Sequence, residues 1–126
     1  MAVGDRSFIL TRDTNELIAW GSNEKGQLGL GHFDDVHMPT KIDFFTKVGQ
    51  QVHSVSGGGD LNMASTHTGD SYVWPYTKQG KQYSVPVRMP FSAKVKIARV
   101  SCGHNFGFFI SSQGLVYSLG KDNSDG

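Results

Sequence analysis

The feature that most constrains this chain is that it repeats itself. Three segments align: GDRSFILTRDTNELIAWG from Gly4, GDLNMASTHTGDSYVWP from Gly59 and GHNFGFFISSQGLVYSLG from Gly103. Each opens on glycine, passes through short apolar or small residues and turns at a polar site. Each then ends an alternating stretch in Trp20, Trp74 or Leu119. The starts lie 55 and then 44 residues apart. A period of that size means stacked units that share cores, because one such unit cannot bury its own apolar face.

Later landmarks keep the same order. MPTKI around Pro39 corresponds to VPVRM around Pro86, and each leads through a strand-like stretch, QQVHSVSGGG or VKIARVSCG, into the next glycine. FILT, ELIAW, MAST, SYVW, KIARVS, FGFFIS and LVYSL are short and rich in β-branched or aromatic residues, which predicts strands. Turn signals separate them and no window sustains a helical period. Several short strands per repeat predict an all-β chain of β-propeller blades, each a four-stranded antiparallel sheet.

The glycine-rich stretch WGSNEKGQLGLG, Trp20 to Gly31, poses the main functional question. Gly21 and Gly26 have the spacing of a phosphate-binding P-loop, but Gln27 and Leu28 stand where that loop needs Lys and Ser or Thr. Gly26, Gly29 and Gly31 run in the wrong order for a dinucleotide fingerprint, with no helical pattern behind them. The loop therefore reads as structural: glycine is needed where φ is positive or another backbone comes near, with Leu28 and Leu30 as buried anchors.

Other chemistry is sparse. His32 and His37 flank Asp34 and Asp35, a set that could chelate a divalent ion, but no CxxC or HExxH spacing accompanies them. Cys102 precedes Gly103 and His104, yet a buried, inert thiol is the expected reading of a lone cysteine. No serine sits in a nucleophile elbow. These observations predict no catalytic residues, no metal and no cofactor.

Charge is unevenly placed. Residues 1–70 carry five Lys/Arg against nine Asp/Glu, whereas residues 71–121 carry seven Lys/Arg and no acid. Such asymmetry can mark contact with an acidic protein or nucleic acid. Tyr76 and Tyr83 bracket Lys78 and Lys81, a pattern that also suits single-stranded nucleic acid. Lys78, Lys81 and Arg88 are the partner-binding candidates. One cysteine, no long apolar run and no signal-peptide pattern predict a cytoplasmic or nuclear protein.

A strand–turn–strand ending in AWGSNEKGQLGLG, a later proline and then VSGGG or VSCG together resemble the regulator of chromosome condensation repeat family. Trp20, Gly21, Asn23, Gly26, Gln27, Leu28, Gly29 and Gly31 match its signature loop. Gly114, Val116, Tyr117 and Gly120 match its Gly-x-Val-Tyr-x-Trp-Gly strand, with Leu119 in place of Trp. Two departures stand out. Ser7, Asn62 and Phe106 occupy the position, three residues after the glycine, where the family often has His, and the second unit lacks the Gln-Leu-Gly loop.

The resemblance implies a seven-bladed propeller needing roughly 350 residues, at about 50 per blade. On that expectation residues 1–126 form a partial propeller, a fragment or one completed by association, with units at 1–55, 56–99 and 100–126. The function it implies is a non-catalytic protein-interaction scaffold. The alternative is guanine nucleotide exchange on a Ran-like small GTPase with chromatin association. Family members also occur beside kinase, ubiquitin-ligase or ciliary modules, which adds the cilium to the expected locations.

Overall fold

Alternating side chains along short β-branched and aromatic runs give each strand two usable faces, and the strands pair in the order in which they occur. The computed structural model describes residues 2–3, 6–11, 15–58, 61–89, 95–103 and 106–120. The first sheet is antiparallel and runs β1 (Ala2–Val3), β2 (Arg6–Leu10), β3 (Leu17–Gly21) and β4 (Val36–Lys41). One helical turn, α1 (Phe44–Lys47), connects it to the second sheet. That sheet orders β5 (Val52–Gly58), β6 (Leu61–Thr66) and β7 (Ser71–Trp74). A two-stranded hairpin, β8 (Tyr76–Lys78) and β9 (Lys81–Tyr83), then precedes its outer strand, β10 (Val87–Arg88). The third sheet is β11 (Ile97–Cys102), β12 (Phe106–Ser111) and β13 (Val116–Gly120).

Two elements escaped the sequence reading. A single helical turn is too short to show a 3.6-residue period. The β8–β9 hairpin turns on Gln79 and Gly80, at φ 52° and 78°. Positive φ at both central residues is the type I′ geometry, usually signalled by Asn-Gly rather than Gln-Gly.

The ladders fix which residues are equivalent. Trp20 pairs with Ser7, Trp74 with Asn62 and Leu119 with Gly107. Counting from the glycines placed Phe106 beside Ser7 and Asn62, but register places Gly107 there and sets Phe106 opposite Gly120. The tight turn in which the Gly103 amide donates to the Phe106 carbonyl, 2.7 Å, precedes this one-residue offset. Gly4, Gly59 and His104 lie outside the described residues. Thr40 pairs with Ala19 and Val87 with Val73, so Pro39 on β4 and Pro86 immediately before β10 do occupy matching places. Proline is tolerated there because an edge strand need not donate. The sequence units count from glycine to glycine, whereas the second sheet begins at Val52, so the repeat and the sheet are out of phase by one strand.

Two cores lie between the sheets. Phe8, Leu17, Ala19, Leu28, Ile42, Phe45 and Val52 pack with Ala64, Tyr72 and Trp74 between the first and second. Leu61, Met63, Val73 and Met89 pack with Ile97, Val100, Phe109 and Leu119 between the second and third. All six residues of β6 are buried, because its alternate side chains enter different cores. Small antiparallel sheets stacked face to face, each built in chain order, are the blades of a β-propeller.

Candidate functional site: the loop face

Connections 22–35 and 75–86 leave the sheets on one side, here the loop face. The signature loop is held by its own side chains. Asn23 is wholly buried. Its Nδ2 donates to the carbonyls of His32 and Asp34, both at 2.9 Å, and its Oδ1 accepts from the Leu28 amide at 3.0 Å. Its amide donates to Asp35 Oδ1 at 2.8 Å. The Gln27 side chain folds back to accept from the Lys25 amide at 2.8 Å.

Amides that a phosphate would need are already engaged. Gly26 donates to the Asn23 carbonyl, Gly29 to that of Gly26, and Gly31 to that of Ser84 in the next blade. The glycines answer to conformation and proximity. Gly26 has φ 80°, and a Cβ there would meet the Ser84 backbone at 3.0 Å; Gly29 has φ 70°, and a Cβ there would meet the Trp74 indole at 3.0 Å. The loop is thus a spacer keyed to the neighbouring sheet. Leu28 is the buried anchor expected, whereas Leu30 is only half-buried, packed against the rim of the same core.

Asn62 completes that key. From the second sheet its Nδ2 donates to the Gln27 carbonyl at 2.7 Å, and both groups are buried. Sequence reading recorded Asn62 only as a departure from a family pattern. The available signal was an amide between Leu61 and Met63 in a strand-like run, since an amide buried there needs partners.

The β8–β9 hairpin lies against the loop, with Gln82 Nε2 donating to the Lys25 carbonyl at 2.8 Å. Lys81 holds its ammonium 5.0 Å from the centre of the Tyr83 ring, within cation–π range. Lys81 is exposed, as are Lys25, His32 and Phe33, the last at 44%. Lys78 pairs with Lys81 through the backbone across the turn; its side chain lies outside what the structure describes.

Arg88 does not join them. It sits on β10 opposite Tyr72, and its guanidinium donates to Asp70 Oδ1 at 3.1 Å. The acid-free run of the sequence is therefore not acid-free in space. Lys41 with Glu16 repeats this pair at the matching register of the first sheet, at 2.7 Å.

The remaining candidates serve the fold. His32 Nδ1 accepts from the Asp34 amide at 3.1 Å, and Asp35 is bound to Asn23, so two donors of the suggested chelating set hold the loop closed. No group of three or more His, Cys, Asp or Glu placed to hold a metal occurs among the described residues. Cys102 is half-buried rather than buried. Its amide donates to Ser56 Oγ at 3.0 Å and its thiol to the Ser56 carbonyl at 3.3 Å, tying β11 to β5.

Stacked antiparallel blades joined through a glycine-rich loop define a propeller repeat protein. Residues 15–65 match the Regulator of chromosome condensation (RCC1) repeat. The Ultraviolet-B receptor UVR8 of Arabidopsis thaliana is 31% identical over 95% of this chain and 28% of its own length. The Secretion-regulating guanine nucleotide exchange factor of Mus musculus is 34% identical over 84% of this chain and 24% of its own. The crystal structure of human WBSCR16 superposes at a TM-score of 0.82 with 29% identity, over 94% of this chain and 31% of that one. The chain belongs to the regulator of chromosome condensation repeat family. It spans under a third of the length of each of these relatives.

Proposed function

We propose that this chain is part of a non-catalytic protein-interaction scaffold whose loop face docks a protein partner. One observation carries the reading: the signature loop spends its amides and buried amide side chains on its own closure and on the next blade, leaving a rim of exposed Phe33 and Lys81 with half-buried Tyr83. Aromatic and cationic side chains on a rigid support make contact surfaces, not reaction centres. Relatives named as a light receptor and an exchange factor agree with a shared support serving different tasks. Units of 1–55, 56–99 and 100–126 are the repeats we assign, in the cytoplasm or nucleus. No helix among the described residues is long and apolar enough to cross a membrane.

The name of the mouse relative favours a second reading, guanine nucleotide exchange, which the family resemblance would direct at a Ran-like small GTPase with chromatin association. Lys78 and Lys81 form the contact edge in both; Arg88 contributes less, being paired with Asp70. Replacing Lys78 and Lys81 by Glu tests both. Partner affinity should fall and its salt dependence flatten, because charge steering is screened as the Debye length drops from about 10 Å at 0.1 M to about 3 Å at 1 M. Unchanged affinity and salt slope for GTPase, acidic protein and DNA would overturn the assignment of these lysines. Accelerated GDP release from the GTPase would replace the scaffold reading by exchange.

A further inference from the structure

The opposite side of the blades, where the hairpin turns lie, carries a cleft at each junction. Between the first and second sheets a space of about 310 Å³ is lined by Asn15, Thr46 and Gln51 among others, with the Lys41–Glu16 pair on its wall. Between the second and third a cleft of about 420 Å³ is lined by His53, Thr66, His67, Thr68, Lys96 and Ser112. The two clefts differ in charge.

Local geometry assembles the second. The register of β5 against β6 shifts between Val52 and Ser54, and His53 stands at that irregularity. His67 follows the last residue of β6, and the two rings meet edge to face with centres 5.0 Å apart. Both histidines are exposed. Lys96 is brought alongside because Gly69 lacks a side chain: a Cβ there would lie 2.7 Å from Lys96 Cδ and 2.9 Å from its Cβ. The Lys96 carbonyl accepts from Ser112 and the Gly69 carbonyl from Ile97, which fixes the turn, β11 and the third sheet together.

Acidic groups near the cleft are engaged. Asp70, on the same turn as His67, gives Oδ1 to Arg88 at 3.1 Å, while Oδ2 accepts from Gln50 and Thr68, each at 3.3 Å. Among the described residues the charged or titratable groups of these elements are His53 from β5, His67 and Asp70 from the turn, Lys96 just before β11, and the exposed Arg99 with Cys102 and Tyr117 from the third sheet.

We propose that this cleft binds a phosphate-type oxyanion, free or carried on a phosphorylated side chain, between His53, His67 and Lys96. All three line one cleft, together with Thr68 and Ser112, and an ammonium with imidazole N–H groups is a donor set suited to such an anion.

The test is a titration of the full chain with inorganic phosphate, and separately with a short phosphoserine peptide and its unphosphorylated form. Ionic strength is held constant and the ring resonances of His53 and His67 are followed by NMR. Both should shift saturably, and His67→Gln and Lys96→Gln should each weaken binding by about tenfold or more, as expected for losing one charge-assisted contact. Gly69→Ala, which displaces Lys96 but removes no donor, should weaken it too. Tighter binding of the phosphopeptide identifies a phosphorylated side chain as the source; equal or tighter binding of inorganic phosphate identifies the free ion. Amide dispersion kept by the variants shows that they fold. Shifts that never saturate, that chloride reproduces, or that survive both charge-removing variants would overturn the site.

Discussion

Gly107 shows how much a single position carries. It stands where the other two sheets have Ser7 and Asn62, and an added Cβ would fall 2.0 Å from Met63 Sδ in the core between the second and third sheets. Gly107→Ala should cost about 1–3 kcal/mol, the usual penalty for overpacking, read by chemical denaturation. Pairing it with Met63→Ala should return part of that loss, because the two then share one volume; strict additivity would mean that the clash is relieved elsewhere. Gly29→Val should cost about 1–3 kcal/mol from positive φ alone, with the Trp74 indole 3.0 Å from the new Cβ adding to it. GTP or ATP should leave the melting temperature unchanged. At this scale the glycines of the signature loop were legible in sequence. The partner of Gly107 was not, because counting along the chain does not reveal a register offset.

At the level of elements, the same ion pair closes two sheets: Lys41 with Glu16 and Arg88 with Asp70 link the outer strand to the turn before its neighbour. Tyr72, beside the second pair, packs edge-on against Phe44 and Phe45 of α1, with ring centres 5.5 and 5.2 Å away. Burial first, then the charge of Asp70, raise its phenol above the ordinary value. The Lys41 ammonium is likewise raised, chiefly by its hydrogen bond to Glu16. Both groups are then protonated more readily when folded. Their stabilisation is complete below about pH 10, the unfolded phenol value, and is lost as pH rises through the folded values. Stability should therefore decline above that pH, and Tyr72→Phe should flatten the decline in a urea midpoint against pH series; an unaltered profile would remove Tyr72 from the account. The strands themselves were legible because their two-residue alternation is strong. The pairs were hidden because Glu16 and Asp70 lie 25 and 18 residues from their partners.

For the molecule as a whole, register explains which surfaces are covered. Phe8, Met63 and Phe108 are equivalent, as are Leu17, Ser71 and Val116. In the first two sheets these positions are buried against the next blade. In the third they are open, with Phe108 37% and Val116 60% exposed, and Phe106, two residues before Phe108 on β12, is 47% exposed. Trp20, whose counterpart Trp74 is wholly buried, is half-buried on the opposite end of the stack. The repeat in the sequence foretold the stacking, but not which faces stay open, because exposure depends on what lies beside each sheet. An apolar face of this kind invites association. Sedimentation equilibrium of this chain tests the stacked-blade account most directly. The account predicts self-association that Phe106→Ser with Phe108→Ser shifts toward monomer while the fold is kept. A cooperatively folding wild-type monomer at every concentration, indistinguishable from the double variant, would contradict it.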